Sequence, residues 1–196
     1  MKILCLASGR GTNFEAIVKG CQSGEIPLAQ VVGLICNKAD APVIQIAHRE
    51  NVPCDLLPSA DYLKKATPDR PGYDRKLAEL AEKYSPDVIC LTGYMLLLGK
   101  PFLEKYAGKI LNIHPSLLPN FPGLHAQRQA LLAKASKTGC TVHLVDESLD
   151  GGPILDKTEV PILPGDTEAT LTERIRTAEH ATYLRVLKKM SEKSRA

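Results

Sequence analysis

The chain has 196 residues, of which 44% are hydrophobic and 24% charged, with a formal net charge of +3. That composition suits one globular domain with its own core, and so weak a charge does not point to nucleic acid. The six cysteines are scattered rather than set at zinc or redox spacing, and no apolar run reaches bilayer length.

Lys2–Ser8 is a continuous apolar run, as expected of a strand buried on both faces of a parallel sheet. Asn13–Gln22 carries Phe14, Ile17, Val18 and Cys21 at helical spacing. Val31–Asn37 predicts a second strand, Val43–Glu50 a helix and Cys54–Leu57 a short strand. Residues 59 to 72, with Pro68 and Pro71, predict a long surface loop. Arg75–Tyr84 predicts an amphipathic helix with Leu77, Leu80 and Ala81 as its stripe, and Val88–Thr92 a further strand. Ile110–His114, Thr141–Val145 and Thr158–Leu163 are short apolar runs, the last two expected to pair antiparallel. Residues 168 to 192 predict a long final helix, with Lys188, Lys189, Lys193 and Arg195 at a frayed, solvated end.

The expected fold is therefore α/β and Rossmann-like. A mostly parallel twisted sheet has helices on both faces, antiparallel strands towards the C-terminal part and a long C-terminal helix. The N-terminus is too short and too soon broken by glycine for a signal peptide, and buried free cysteines suit a reducing compartment. A soluble cytoplasmic protein is expected.

Ser8-Gly9-Arg10-Gly11-Thr12-Asn13 joins the first strand to the first helix. Two glycines permit close backbone approach, and Thr12 or Asn13 can cap the helix. The stretch reads as an anion-binding turn or as a plain tight βα turn, and the α/β context favours phosphate. Asn112 and His114 are two residues apart at the end of a strand, so they share a face. Pro115, Pro119 and Pro122 then stiffen the chain, and one X-Pro bond is expected to be cis. Rigidly held donors need no reorganisation when charge develops in a reaction.

Among the other histidines, His48 is expected at the surface, His125 at a helix start and His180 in a structural role. His143 either lines the site or is a satisfied half-buried histidine, and the second is the expectation. The acidic stretch 146–150 reads as a solvated loop or as the source of a carboxylate. Asp150 precedes Gly-Gly-Pro and would favour a protonated imidazole if it meets His114.

Taken together, A-S-G-R-G-T-N at 7–13, N-K-A-D at 37–40, P-D-V-I-C-L-T-G-Y-M at 86–95, L-N-I-H-P-S-L-L-P-N-F-P-G-L-H-A at 111–126, T-V-H-L-V at 141–145 and D-G-G-P-I at 150–154 carry a resemblance over nearly the whole chain. They resemble the phosphoribosylglycinamide formyltransferases, the glycinamide ribonucleotide transformylases of the folate-dependent formyltransferase superfamily. The resemblance implies a single formyltransferase domain over 1–196, its N-terminal half binding nucleotide phosphate and its C-terminal half binding folate and catalysing. It implies transfer of the formyl group of 10-formyltetrahydrofolate to the amine of glycinamide ribonucleotide in purine synthesis. The path is direct attack through a tetrahedral intermediate, with no metal and no covalent enzyme intermediate.

The resemblance also assigns roles. Asn112 binds the formyl oxygen, His114 as imidazolium stabilises the oxyanion and donates a proton, and Asp150 keeps His114 protonated and shuttles the amine's proton through water. Gly11, Thr12 and Asn13 match a phosphate-binding turn, and Glu179 a carboxylate on the nucleotide. Arg70 matches a base that meets the folate's glutamate tail, and Met95, Leu96, Leu97 and Leu98 a segment whose backbone holds the pterin. Two positions depart. Position 96, often Arg, is Leu96, and position 176, where relatives can carry Gln, is Arg176. Arg176 is either a phosphate contact or one partner of a surface pair with Glu179. The alternatives are a formyltetrahydrofolate deformylase, whose kind carries an extra N-terminal domain where this chain starts at its first strand, and a non-catalytic nucleotide or folate binder. A methionyl-tRNA formyltransferase would need a C-terminal RNA-binding domain. The implied partners are the two small-molecule substrates, without nucleic acid or membrane, on a monomer or homodimer.

Overall fold

The computed structural model describes residues 1–64 and 66–193. The strands are β1 (Lys2–Ala7), β2 (Gln30–Cys36), β3 (Cys54–Leu56), β4 (Val88–Leu91), β5 (Ile110–His114), β6 (Lys137–Leu144) and β7 (Ile154–Pro161). They form one sheet in the order β3-β2-β1-β4-β5-β6-β7. The pairs from β3 to β5 are parallel, whereas β6 runs antiparallel to both β5 and β7. β1 and β4, at the centre, are almost wholly buried, because helices cover both faces.

The helices are α1 (Thr12–Gln22), α2 (Val43–Arg49), α3 (Ala60–Leu63), α4 (Arg70–Tyr84), α5 (Lys100–Lys105), α6 (Ala126–Leu132) and α7 (Glu168–Lys193). α1, α2 and α7 pack their apolar faces on one side of the sheet, with Phe14, Ile17, Val43, Leu171 and Ile175 against Ile3, Cys5, Leu34 and Leu111. α4 and α5 cover the other side, with Tyr73, Leu77 and Phe102 against Leu4, Leu6 and Ile89. Each large side chain so buried contributes about 1.5–3 kcal/mol of transfer free energy. Tyr183 pins α7 to the sheet, its hydroxyl donating to the carbonyls of Leu91 (3.2 Å) and Leu111 (3.1 Å).

The architecture is the expected one, with five corrections to its elements. The segment 59–72 is not a long loop: α3 occupies its start and α4 begins at Arg70. Asp69 caps α4 by accepting from the Gly72 N–H at 2.8 Å, and Pro71 sits in the first turn, where a missing N–H costs nothing. α5 was not expected from the sequence. β6 starts at Lys137, with Gly139 pressed against the Thr158 carbonyl, so that an added Cβ would lie 2.0 Å from that oxygen. β7 starts at Ile154, where its outer edge is exposed. The basic C-terminal end is helical through Lys193 rather than frayed, and Arg195 lies outside the described residues, as Lys65 does. No helix is long and apolar enough to cross a membrane among the described residues.

Candidate active site

Three segments leave the carboxyl ends of parallel strands side by side: the turn after β1, residues 92–99 after β4 and residues 115–125 after β5. This is the rim where open α/β sheets bind ligands. The first two are tied together, since Ser8 N–H donates to the Gly93 carbonyl at 3.1 Å and Met95 N–H to Ser8 Oγ at 2.8 Å.

On β5 the strand alternation sends Leu111 and Ile113 into the core beneath α7 and leaves Asn112 and His114 facing the other way. The antiparallel register sets His143 of β6 opposite Asn112, so their side chains meet. His143 Nδ1 lies 2.9 Å from the Leu144 carbonyl, which can only accept. Nδ1 therefore carries a proton, and in the neutral ring Nε2 accepts from Asn112 Nδ2 at 3.2 Å. That leaves the second amide hydrogen of Asn112 for a ligand. His143 is buried rather than half-buried, and Nε2 is also 3.7 Å from Asp150 Oδ1. Both of its ring nitrogens are satisfied, and through Nε2 it touches two residues of the candidate site, Asn112 and Asp150.

His114 is 5% exposed. Its Nε2 donates to the Phe121 carbonyl at 2.8 Å, and its Nδ1 lies 3.3 Å from Asp150 Oδ2. Both ring nitrogens thus face acceptors, and only the imidazolium donates to both. The expected stiffness of 115–123 is present. Thr141 Oγ1 accepts from Leu118 N–H at 3.0 Å and donates to the Ser116 carbonyl at 2.7 Å, Ser116 Oγ donates to the Asn120 carbonyl at 2.5 Å, and Leu118-Pro119 is cis.

Asp150 has φ 53°, and its Oδ2 accepts from the Gly123 N–H at 2.8 Å. Gly152 lets the chain close behind it, because a Cβ there would lie 2.0 Å from the Leu144 carbonyl. The other two acids part company with it. Asp146 accepts from Ser148 within its own turn, and exposed Glu147 pairs with Lys100.

The turn after β1 departs in detail from the sequence reading. Gly11, at φ 81°, is the N-cap residue, while Thr12 and Asn13 are already helical and supply no side-chain cap. The first N–H groups of α1 have no intrahelical acceptor and face the rim. Asn13 Nδ2 instead donates to Glu179 Oε2 on α7 at 3.1 Å, and Asn13 Oδ1 is buried without a partner among the described residues. Arg176 pairs not with Glu179 but with Glu173, at 2.6 Å, and its Nη2 is buried without a partner among the described residues. A cavity of about 390 Å³ opens here, lined by Arg10, Glu168, Ala169, Thr172, Glu173 and Arg176. A smaller one, about 230 Å³ between the ends of α1 and α2 and the start of β2, lies at the opposite end of the parallel strands from His114. The carboxyl-end rule assigns the ligand to the first.

Two substitutions probe this side. A Cβ on Gly11 would lie 2.4 Å from Val43 Cγ2 in a backbone region that L-residues avoid, so Gly11→Ala should cost about 2 kcal/mol in thermal or denaturant unfolding. Unchanged stability would mean that the turn relaxes freely. Burial pushes the Glu179 carboxyl above the usual range, against the Asn13 amide and the charges of Arg176, His114 and Arg10. Raised in the folded chain, this group favours folding below its unfolded value and loses that contribution as pH rises through the folded value. At neutral pH Glu179→Gln should therefore raise Tm, on the scale of the about 2–4 °C that 1 kcal/mol moves in a domain of this size. A lower Tm would show that the ionised carboxylate stabilises the fold.

The third segment follows Tyr94. Met95 and Leu97 are exposed, whereas Leu96 and Leu98 pack on the core beneath α4. Leu96 thus has an apolar seat. Arg70, at the start of α4, donates through Nη2 to the Leu97 carbonyl and through Nε to both Asp74 oxygens at 2.9 Å. The structure therefore brings together Asn112, His114 and Asp150; Asn13 and Glu179, with Gly11, Thr12 and Arg176 around them; and Arg70 with Met95–Leu98. Of the remaining histidines, His48 and His125 are exposed, His125 at the N-cap of α6 without a side-chain cap. His180 lies mid-helix on α7, half-buried, its Nε2 without a partner among the described residues and its proton affinity lowered by burial and by Arg176.

Residues 1–187 match the formyl transferase family model. The chain is 41% identical, over 93% of its length and 84% of the other, to phosphoribosylglycinamide formyltransferase of Escherichia coli (strain K12). Among solved structures it is similar to glycinamide ribonucleotide transformylase 1 from Symbiobacterium toebii, with TM-score 0.93, 43% identity and coverage of 98% of this chain and 88% of that one. It is likewise similar to phosphoribosylglycinamide formyltransferase from Bacillus halodurans, with TM-score 0.92, 39% identity and coverage of 99% and 97%.

Proposed function

The chain belongs to the formyl transferase family, and from that premise we infer that it transfers the formyl group of 10-formyltetrahydrofolate to the amine of glycinamide ribonucleotide in purine synthesis. The observation that carries this reading is the convergence of Asn112, His114 and Asp150 on one rim, through His143, on the same side of the sheet as a cavity lined by Arg10, Arg176, Glu168 and Glu173. An acyl transfer to an amine requires such a set: donors aimed at the oxygen that gains charge, and an acid–base pair matched to the moving proton.

Asn112, oriented by His143, presents its free N–H to the formyl oxygen. His114 holds a proton on each nitrogen and releases the Nε2–H from the Phe121 carbonyl to the oxygen on which charge develops. Asp150 faces the ring through Oδ2 and takes up the proton leaving the attacking amine, through water. The amine nitrogen bonds to the formyl carbon, the bond from that carbon to the folate nitrogen breaks, that nitrogen takes a proton from His114, and the proton taken from the amine passes from Asp150 back to the His114 ring, so that the enzyme ends as it began.

The N–H groups of Gly11, Thr12 and Asn13, with Arg176, receive the nucleotide phosphate, which displaces Glu173 from the guanidinium. Glu179 contacts the rest of the nucleotide. The folate cosubstrate supplies the formyl group, and the rim fits it: the backbone of Met95–Leu98 offers donors and acceptors to a pterin, exposed Met95, Leu97 and Leu149 offer apolar contact, and Arg70 meets an anionic tail. Each side draws on both halves of the chain, the phosphate on α1 and α7 and the folate on α4, 92–99 and the β5–β6 region. The setting is the cytoplasm, in keeping with six free cysteines.

The test is folate turnover followed optically, with and without glycinamide ribonucleotide. Turnover that requires the nucleotide supports the reading. Nucleotide-independent hydrolysis would make the protein a deformylase, and no turnover in either case a binder.

A further inference from the structure

Asp74 is a buried carboxylate that no step above uses. It is 6% exposed, on the second turn of α4, and its ion-pair partner is Arg70, four residues earlier. Arg70 Nε sits 2.9 Å from each Asp74 oxygen, while Nη2 donates to the Leu97 carbonyl. On its far side the carboxylate is pressed against Gly99, where a Cβ would lie 2.0 Å from Oδ2 and 2.6 Å from Cγ. One residue away the hydroxyls of Tyr73 and Tyr94 meet at 2.5 Å inside the core. The start of α4 is thus fastened to residues 94–99 at three points: Tyr73 to Tyr94, Arg70 to Leu97 and Asp74 against Gly99.

We propose that Asp74 is a positioning residue for the folate cosubstrate: it locks the Arg70 guanidinium onto the segment that seats the pterin, so that ring and anionic tail are read by one rigid body. Nε and Nη2 are occupied, and Nη1 has no protein partner among the described residues. The Arg70 side chain remains 36% exposed, so this outward edge is open to a carboxylate. Asp74 neutralises the guanidinium, which makes Arg70 act through geometry rather than through net positive charge. A buried carboxylate kept against an otherwise useful cation is costly unless it fixes that cation in place. A mobile arginine would also lose side-chain entropy on binding, and preorganisation avoids that loss.

The proposal rests on the reading of Arg70 as the tail contact, and a double-mutant cycle separates the two. KM for 10-formyltetrahydrofolate, KM for the nucleotide and kcat are measured for Asp74→Asn, Arg70→Ala and the pair, with thermal melts alongside. Asp74→Asn is expected to raise the folate KM about tenfold, the scale of one charged hydrogen bond, while leaving kcat and the nucleotide KM where they were. In the Arg70→Ala background it should change nothing further, because its partner is gone. An equal effect in that background, or a loss confined to kcat, would overturn the proposal in favour of a purely structural carboxylate. If Arg70→Ala raises the folate KM and Asp74→Asn does not, the positioning role falls and the tail contact stands. If Arg70→Ala leaves the folate KM unmoved, both fall. Should Asp74→Asn fail to fold, Gly99→Ala, which displaces the carboxylate by sterics alone, takes its place in the cycle with the same expected outcomes.

Discussion

His114→Ala should lower kcat by about a thousandfold while leaving the fold intact and both KM values within a few-fold. In the proposed mechanism the ring serves both as electrostatic stabiliser and as proton source. Losing one preorganised oxyanion donor costs about 10²–10³ in turnover, and losing a general acid about 10²–10⁴. Those ranges overlap rather than multiply, since one proton performs both roles. Removing the buried ring leaves its carbonyl and carboxylate partners unpaired, at a cost of about 1–3 kcal/mol, but the 115–123 segment keeps its ties through Thr141 and Ser116 and the fold should persist. A variant with more than a tenth of wild-type kcat would remove His114 from the chemistry.

Asp150→Asn should lower kcat by about a hundredfold. An asparagine in this place can still accept from Gly123 N–H, so the loop between β6 and β7 keeps its anchor. What disappears is the charge 3.3 Å from His114 Nδ1, together with the acceptor for the amine's proton. Because both substitutions act on one assembly, the double variant should be hardly slower than His114→Ala alone. Full additivity would mean that the two residues act in separate steps. Unchanged kinetics in Asp150→Asn would take the carboxylate out of the scheme.

Much of the fold could be read from the chain because parallel strands buried on both faces are largely continuous apolar runs, and β1, β2 and β4 are of that kind. α7 was legible from its long 3–4 periodicity. The misreadings have local causes. Pro68 and Pro71 look like loop residues, yet Asp69 turns Pro71 into a helix-starting residue. α5 is six residues long and holds a proline. The first half of β6, Lys137-Thr138-Gly139, has no apolar alternation to announce it, because the strand is defined there by its pairing with β7.

The site divides in the same way. Asn112 and His114 were legible because two residues on one strand share a face whatever the rest of the chain does. His143 was not, because its role depends on the β5–β6 register, which no short window of sequence contains. The partner of Arg176 was missed for a related reason. Glu173 and Glu179 are both three residues away along the helix, and tertiary packing draws Glu179 to Asn13.

The claim on which these expectations converge is that one carbon passes from folate to a nucleotide amine without being released to water. A single-turnover reaction with carbon-13 in the formyl group, followed by NMR, addresses it directly. The label should appear in the N-formyl group of the nucleotide product, with formate at trace level. Label recovered as formate, in the presence of saturating nucleotide, would contradict the account.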